Sequence, residues 1–194
     1  SITYGDAPRV YGTGLVALTR GNFQKAAEEF EGAKAAVNAG IAREWLLEYA
    51  AVQKGLALTA MARLEPIHLS AAIKEFEEAL KKNPQSLLYD KIQLGLVQCY
   101  SMQKNWTKAK AAADDLSKVG ETIKQPVWKI RGERAVADAL LKQEIYIEAV
   151  TAFENLVSSA QRELKWAKGD LMQTTLARQE IEAAVAQGWA KVTM

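Results

Sequence analysis

The residues able to do chemistry are few and scattered. His68 is the one histidine, and no cysteine or second histidine stands near it. A lone imidazole does not build a histidine-based metal site, and its place at a helix start suits a capping or surface role. Cys99, the one cysteine, lies in Leu94-Gly95-Leu96-Val97-Gln98-Cys99-Tyr100 with no basic neighbour to favour a thiolate. It reads as a packed thiol. Paired acids occur at Glu28-Glu29, Glu77-Glu78 and Asp114-Asp115. Adjacent helical residues point about 100° apart, so such pairs are poorly placed to share one proton or one metal ion. No Walker loop, dinucleotide fingerprint, HExxH pair or nucleophile elbow is present. The expectation is a chain that is not an enzyme and uses no cofactor and no metal.

Bulk composition removes further classes. The 194 residues fit one compact domain or one short repeat array. Hydrophobic residues at 49% and charged residues at 25% are ordinary for a packed globular chain. Twenty-five basic against twenty-three acidic residues leave a net charge of +2, too little for binding to nucleic acid by phosphate neutralisation. Uncharged runs fall far short of the ~20 apolar residues of a membrane span, so no membrane insertion is expected. One cysteine suits any redox compartment. The chain starts at Ser1 rather than Met, so the expectation is a soluble protein with export left open.

The elements that must position any binding residue are helical. Breakers come at intervals: Gly21-Asn22, Gly40, Pro66, Asn83-Pro84, Asn105, Gly120, Pro126 and Gly169-Asp170. Between them the chain is rich in Ala, Leu, Glu, Lys and Gln, the strong helix formers, without sustained period-2 alternation. This predicts nine helices over 7–20, 22–38, 41–64, 68–82, 85–103, 105–118, 125–143, 145–167 and 170–191. Asn22, Ser70, Thr107 and Asp170 are the expected amino-terminal caps. Short connections make consecutive helices antiparallel neighbours.

One pattern recurs in the second helix of each pair. It is Phe23-x2-Ala26-x3-Phe30, then Leu69, Ala72 and Phe76, then Trp106, Ala109 and Ala113, then Tyr146, Ala149 and Phe153. The starts are 46, 37 and 40 residues apart. Positions 0, 3 and 7 share one helix face. There the large first residue plugs the joint, the alanine lets two backbones approach, and the third residue fills the space beyond. These residues are expected in the core, with Trp45 and Trp106 among the buried aromatics.

The pattern resembles the tetratricopeptide repeat. Gly14, Gly21, Asn22, Phe23, Ala26, Phe30 and Ala33 carry the likeness in the first unit; Ala72, Phe76, Ala79 and Pro84 in the second; Leu96, Tyr100, Trp106 and Ala109 in the third. Tyr146, Ala149 and Phe153 carry it in the fourth. The resemblance implies an all-α fold of antiparallel helix hairpins stacked as a short right-handed α-solenoid. The array would occupy residues 1–160, and residues 161–194 would form a carboxy-terminal helix for capping or oligomerisation.

Two features are candidates for binding. The resemblance implies a concave surface of stacked first helices, and registering the third and fourth units on their motifs turns Gln98, Ser101, Arg131, Arg134, Asp138 and Lys142 towards it. From Lys104 to Arg134 there are eight basic and four acidic residues. Such a groove would grip an acidic or extended peptide. The second feature is the seam-like spacing through residues 164–192, where Met172, Leu176, Ile181, Val185 and Trp189 are the candidates for self-association. Closing the exposed core of the last repeat is the other reading of this segment. Trp128 and Trp166 are further anchor candidates if exposed.

The leading expectation is a non-catalytic protein–protein interaction scaffold that self-associates as a homo-oligomer and organises a multiprotein complex. The alternatives are a monomeric receptor for an acidic or extended peptide and an enzyme with a solenoid body.

Overall fold

The computed structural model describes residues 6–40, 43–166 and 175–193. Nine α-helices and no strand occur among them: α1 Asp6–Thr19, α2 Phe23–Asn38, α3 Trp45–Ala62, α4 Leu69–Lys82, α5 Tyr89–Met102, α6 Trp106–Thr122, α7 Pro126–Lys142, α8 Tyr146–Trp166 and α9 Thr175–Val192. A 3-10 turn, Pro66–His68, leads into α4. From α1 to α5 and again from α6 to α9, consecutive helices pack as adjacent hairpins, the arrangement that the short connections predict.

The helix ends show why the chain turns where it does. Asn22 accepts from the Lys25 amide at 3.2 Å, as expected, and caps α2. Asn105 does the same for α6, accepting from the Lys108 amide at 3.3 Å, so the expected cap Thr107 lies inside the helix. Ser70 is also inside its helix, because Pro66 opens a 3-10 turn that runs directly into α4. Asp170, the fourth expected cap, is outside the described residues.

At the other ends, α1, α6 and α7 close in Schellman geometry. The Asn22 amide donates to Ala17, Gln125 to Gly120 and Ile145 to Leu140. That closure needs a left-handed residue. Gly21 supplies it at φ 74°, whereas Lys124 and Glu144 take it at φ 56° and 62° despite their side chains. Gly120, an expected breaker, lies within α6, which runs four residues past its expected end. A Cβ there would strike the backbone of Trp128 and Lys129, so this glycine serves the α6–α7 crossing.

The chain divides into two compact units, Ser1–Gln103 and Lys104–Met194. In the first, each helix from α1 to α5 packs on the next, and α3 also touches α5. Its core is built on two phenylalanines that enter helix backbones at glycines. Phe30 is fully buried with its ring beside Gly14, where a Cβ would approach to 2.7 Å. Phe76 is fully buried between two helices: a Cβ on Gly55 of α3 would stand 2.7 Å from its ring, and one on Gly95 of α5 2.5 Å. In the second unit α6, α7, α8 and α9 pack in sequence, with α9 also reaching α7.

The small-residue pattern is as expected: Ala26, Ala72, Ala109 and Ala149 all lie on helices and are buried. The aromatic half of the pattern is less uniform. Phe23 and Trp106 are half-buried, but Tyr146 is 59% exposed. Trp45, expected in the core, is 53% exposed. Each is the first residue of its helix, and a helical side chain projects back over the turn before its own Cα. Here that direction leaves the helix end.

The packing predicts a specific coupling. Gly95→Ala should overpack the Phe76 ring and cost ~1–3 kcal/mol, as should Ala149→Leu at its own crossing. Phe76→Ala should cost ~3–5 kcal/mol. Urea melts of the Gly95→Ala, Phe76→Ala double variant should show a loss clearly smaller than the sum, because the vacated space accepts the new methyl.

Candidate functional site

The basic residues of α7 meet the carboxy-terminal helix. Pro126 sits in the first turn of α7, a position that needs no backbone donor. One turn on, Arg131 grips Glu180 of α9 with two bonds, Nε donating at 2.6 Å and Nη2 at 2.8 Å. Arg134 lies 3.8 Å from Asp138 on its own helix. Burial holds the Asp138 carboxyl above the usual carboxylate range, opposed by the positive charges of Arg134, Lys142 and Lys191. A cavity of about 240 Å³ opens beside them, with Phe153 and Leu156 of α8 and Gly188 and Lys191 of α9 in its lining. Lys142 itself is exposed.

The other two residues expected in this groove, Gln98 and Ser101, belong to the amino-terminal unit. Both are half-buried. In the amide orientation that satisfies both partners, the Gln98 oxygen accepts from Arg63 Nη2 at 2.6 Å.

The local excess of basic residues is also countered. Lys110 pairs with Asp114 at 2.7 Å, and Lys129 reaches Glu121 at 3.3 Å and Glu163 at 4.0 Å. Of these acids, Glu163 lies outside the sequence window that looked basic.

The seam-like spacing of the last segment is satisfied largely within the unit. Ile181 and Ala184 of α9 are buried in one cluster with Ile130, Phe153 and Leu156, and Val185 packs against it. A Cβ on Gly188 would meet Val157 of α8 at 2.5 Å, so the missing side chain allows the close approach. Ile181 is therefore core in a single chain and is not available to a second one. Val185 is half-buried, while Trp189 remains 50% exposed. Met172 and the side chains of Leu176 and Trp166 lie outside the described residues. Trp128 is half-buried.

Cys99 is buried with its sulfur 3.3 Å from Thr59 Oγ1, and burial pushes the thiol up. His68 sits half-buried, 3.5 Å from Glu65. Among the described residues no three acidic, histidine or cysteine side chains gather to hold a metal ion. None of the described helices is long and apolar enough to cross a membrane.

Two carboxylates, one buried and one half-buried, were not anticipated. Glu75 of α4 is 8% exposed and accepts from Lys34 of α2 at 2.7 Å and from Lys54 of α3 at 2.7 Å. Lys54 also donates to Glu31 at 2.6 Å, so one ionic cluster ties three helices. Burial works against the Lys54 charge, yet the bonds to Glu31 and Glu75 outweigh it and hold its ammonium above the usual range. The second is Glu133 of α7. Ser159 donates to its Oε1 at 3.1 Å, and its buried Oε2 has no partner. A signal for both was present: each interrupts an apolar stripe, Glu75 among Ala72, Phe76 and Ala79, Glu133 between Ile130 and Ala137.

Sequential helix hairpins, crossings at small residues and aromatic rings held in glycine notches define an α-helical repeat protein. Residues 68–122, from the end of the 3-10 turn through α6, match the tetratricopeptide repeat family. This repeat implies protein–protein interaction and is typically non-catalytic, and no enzyme family is detected. No curated protein matches the chain.

Both acids give testable consequences. Glu75→Ala leaves two ammonium groups without their buried partner and should cost about 3 kcal/mol, read as a lower urea midpoint at unchanged slope. Burial raises the Glu133 carboxyl above its ordinary 4.5, so the folded chain holds this proton to higher pH than the unfolded chain. Its contribution is full below the ordinary value and is lost as pH rises through the raised one. Glu133→Gln should therefore match the parent near pH ~4 and exceed it in stability near pH ~7.

Proposed function

We propose that the chain is a non-catalytic scaffold whose helical repeats bind protein partners and thereby organise a multiprotein assembly. The observation that carries this reading is the repeat itself. Four buried alanines mark regular helix crossings, and residues 68–122 match a repeat that implies protein–protein interaction.

Self-association is the finer form of the proposal, and it rests on Trp189. Half of this residue is exposed on a helix whose adjoining face is fixed by Ile181, Ala184 and Gly188. Large aromatics presented from a rigid element are the commonest anchors of protein interfaces. A second copy of the chain would meet α9 through Trp189 rather than through the whole seam.

A second reading has its own support. Arg134, Lys142 and Lys191 all act on Asp138, and the cavity beside it has an apolar lining. This suits a receptor for an acidic peptide with one apolar side chain. Arg131 is a weaker contributor to that reading, because Glu180 already takes two of its donors.

Light scattering across the micromolar range decides the finer proposal. An oligomer that Trp189→Ala converts to monomer supports it. A parent chain that stays monomeric, with Arg134→Glu abolishing capture of an acidic peptide, would transfer the function to the receptor reading.

A further inference from the structure

A groove on the amino-terminal unit takes no part in either surface described above. It opens where the carboxy-terminal ends of α2 and α4 meet the amino-terminal end of α3, and its volume is about 560 Å³. Val37, Leu47, Ala51 and Ala79 contribute its apolar lining. Trp45 also lines it, with 53% of its surface open to solvent and its ring set edge-on to Tyr49 at 5.6 Å and 90°. Of the helices that line it, α2 and α4 are the second of their hairpins and α3 is a first.

The charge around the groove is one-sided. Four carboxylates, Glu44, Glu48, Glu75 and Glu78, stand against two ammonium groups, Lys34 and Lys82. Lys34 is already held by Glu75 at 2.7 Å, and Glu75 is matched again by Lys54 at 2.7 Å, so the excess of negative charge lies with Glu44, Glu48 and Glu78. Glu78 reaches Lys74 only at 3.9 Å, and Glu48 accepts from the neutral Asn83 amide at 3.3 Å. Glu44 directly precedes α3 and Glu48 lies four residues on in its first turn, so the two share a side, with Trp45 flanking Glu48. The negative ends of the α2 and α4 dipoles converge on the same region, against one positive end from α3. An acidic peptide would be repelled here. A neutral apolar helix would leave the carboxylates unused.

A guanidinium satisfies every part of this arrangement. It stacks on an indole face, donates to carboxylates in a planar fork, and carries methylenes that cover apolar surface. We propose that this groove docks a basic segment of a protein partner. An arginine of that segment lies against Trp45 and pairs with Glu44 and Glu48, and an adjacent apolar side chain enters between Leu47 and Ala79. The proposal rests on the reading of the chain as a protein-binding module, but on none of the residues of α7 or α9.

The test uses the full chain and a set of fluorescein-labelled octapeptides in which one leucine is flanked by arginine, lysine, glutamate or serine. Fluorescence anisotropy should rank the arginine–leucine peptide first, with the glutamate version not bound. Trp45→Ala should weaken the arginine peptide about tenfold, and Glu44→Lys with Glu48→Lys should weaken it at least as much. Trp189→Ala should leave it unchanged, which separates this groove from the α9 surface. All these positions are at least partly exposed, and matching thermal melts would confirm that the variants fold. Serine or glutamate peptides binding as tightly as arginine would overturn the proposal. So would arginine binding indifferent to Trp45→Ala, or no arginine peptide bound by the parent chain. An oligomer of the parent that Trp45→Ala dissociates would assign the groove to a second copy instead.

Discussion

A phenylalanine ring can rest against the backbone of a neighbouring helix only where the facing residue has no side chain. Phe30 meets Gly14, and Phe76 meets Gly55 on one side and Gly95 on the other. These contacts set the spacing of α1, α3 and α5 from the helices that carry the rings, and the rest of the amino-terminal unit follows from that spacing. With the backbones this close, Glu75 comes within reach of lysines from α2 and α3, and the charged cluster becomes affordable despite its burial. The groove bearing Trp45 lies next to that cluster. Its shape is therefore fixed by interactions deeper in the unit.

Much of the architecture was legible in the residues. Alanines at constant distance behind an aromatic or leucine mark close crossings, and all four are buried as that spacing requires. Helix ends were readable where a cap or turn has its own chemistry, as at Gly21 and Asn22. They were misread where a neighbouring element decides the outcome. Gly120 looks like a terminator in one dimension, yet α7 crosses so near that no larger residue fits. Trp45 and Tyr146 look like core because aromatics usually are, but their places at helix starts aim them outward. Propensity describes a segment, whereas exposure depends on what lies across from it.

The binding surfaces were harder to read for a related reason. A window rich in lysine and arginine suggests a basic groove, but a helical fold brings acids from far along the chain. Glu180 lies 49 residues from Arg131, and Glu163 stands well beyond the window that held Lys129. The seam spacing of the last helix does not by itself say which surface the stripe meets. Among the described residues, Ile181 and Ala184 of that stripe pack with Phe153 and Leu156 of α8.

The lone thiol has a use that its chemistry does not advertise. Cys99 is sealed beside Thr59 at the meeting of α3 and α5, the two helices that also clasp the Phe76 ring. An alkylating reagent reaches it only when that clasp parts. Its labelling rate therefore serves as a built-in clock for the breathing of the amino-terminal unit, readable without adding a probe. Any partner that tightens or loosens the unit would set the clock's pace.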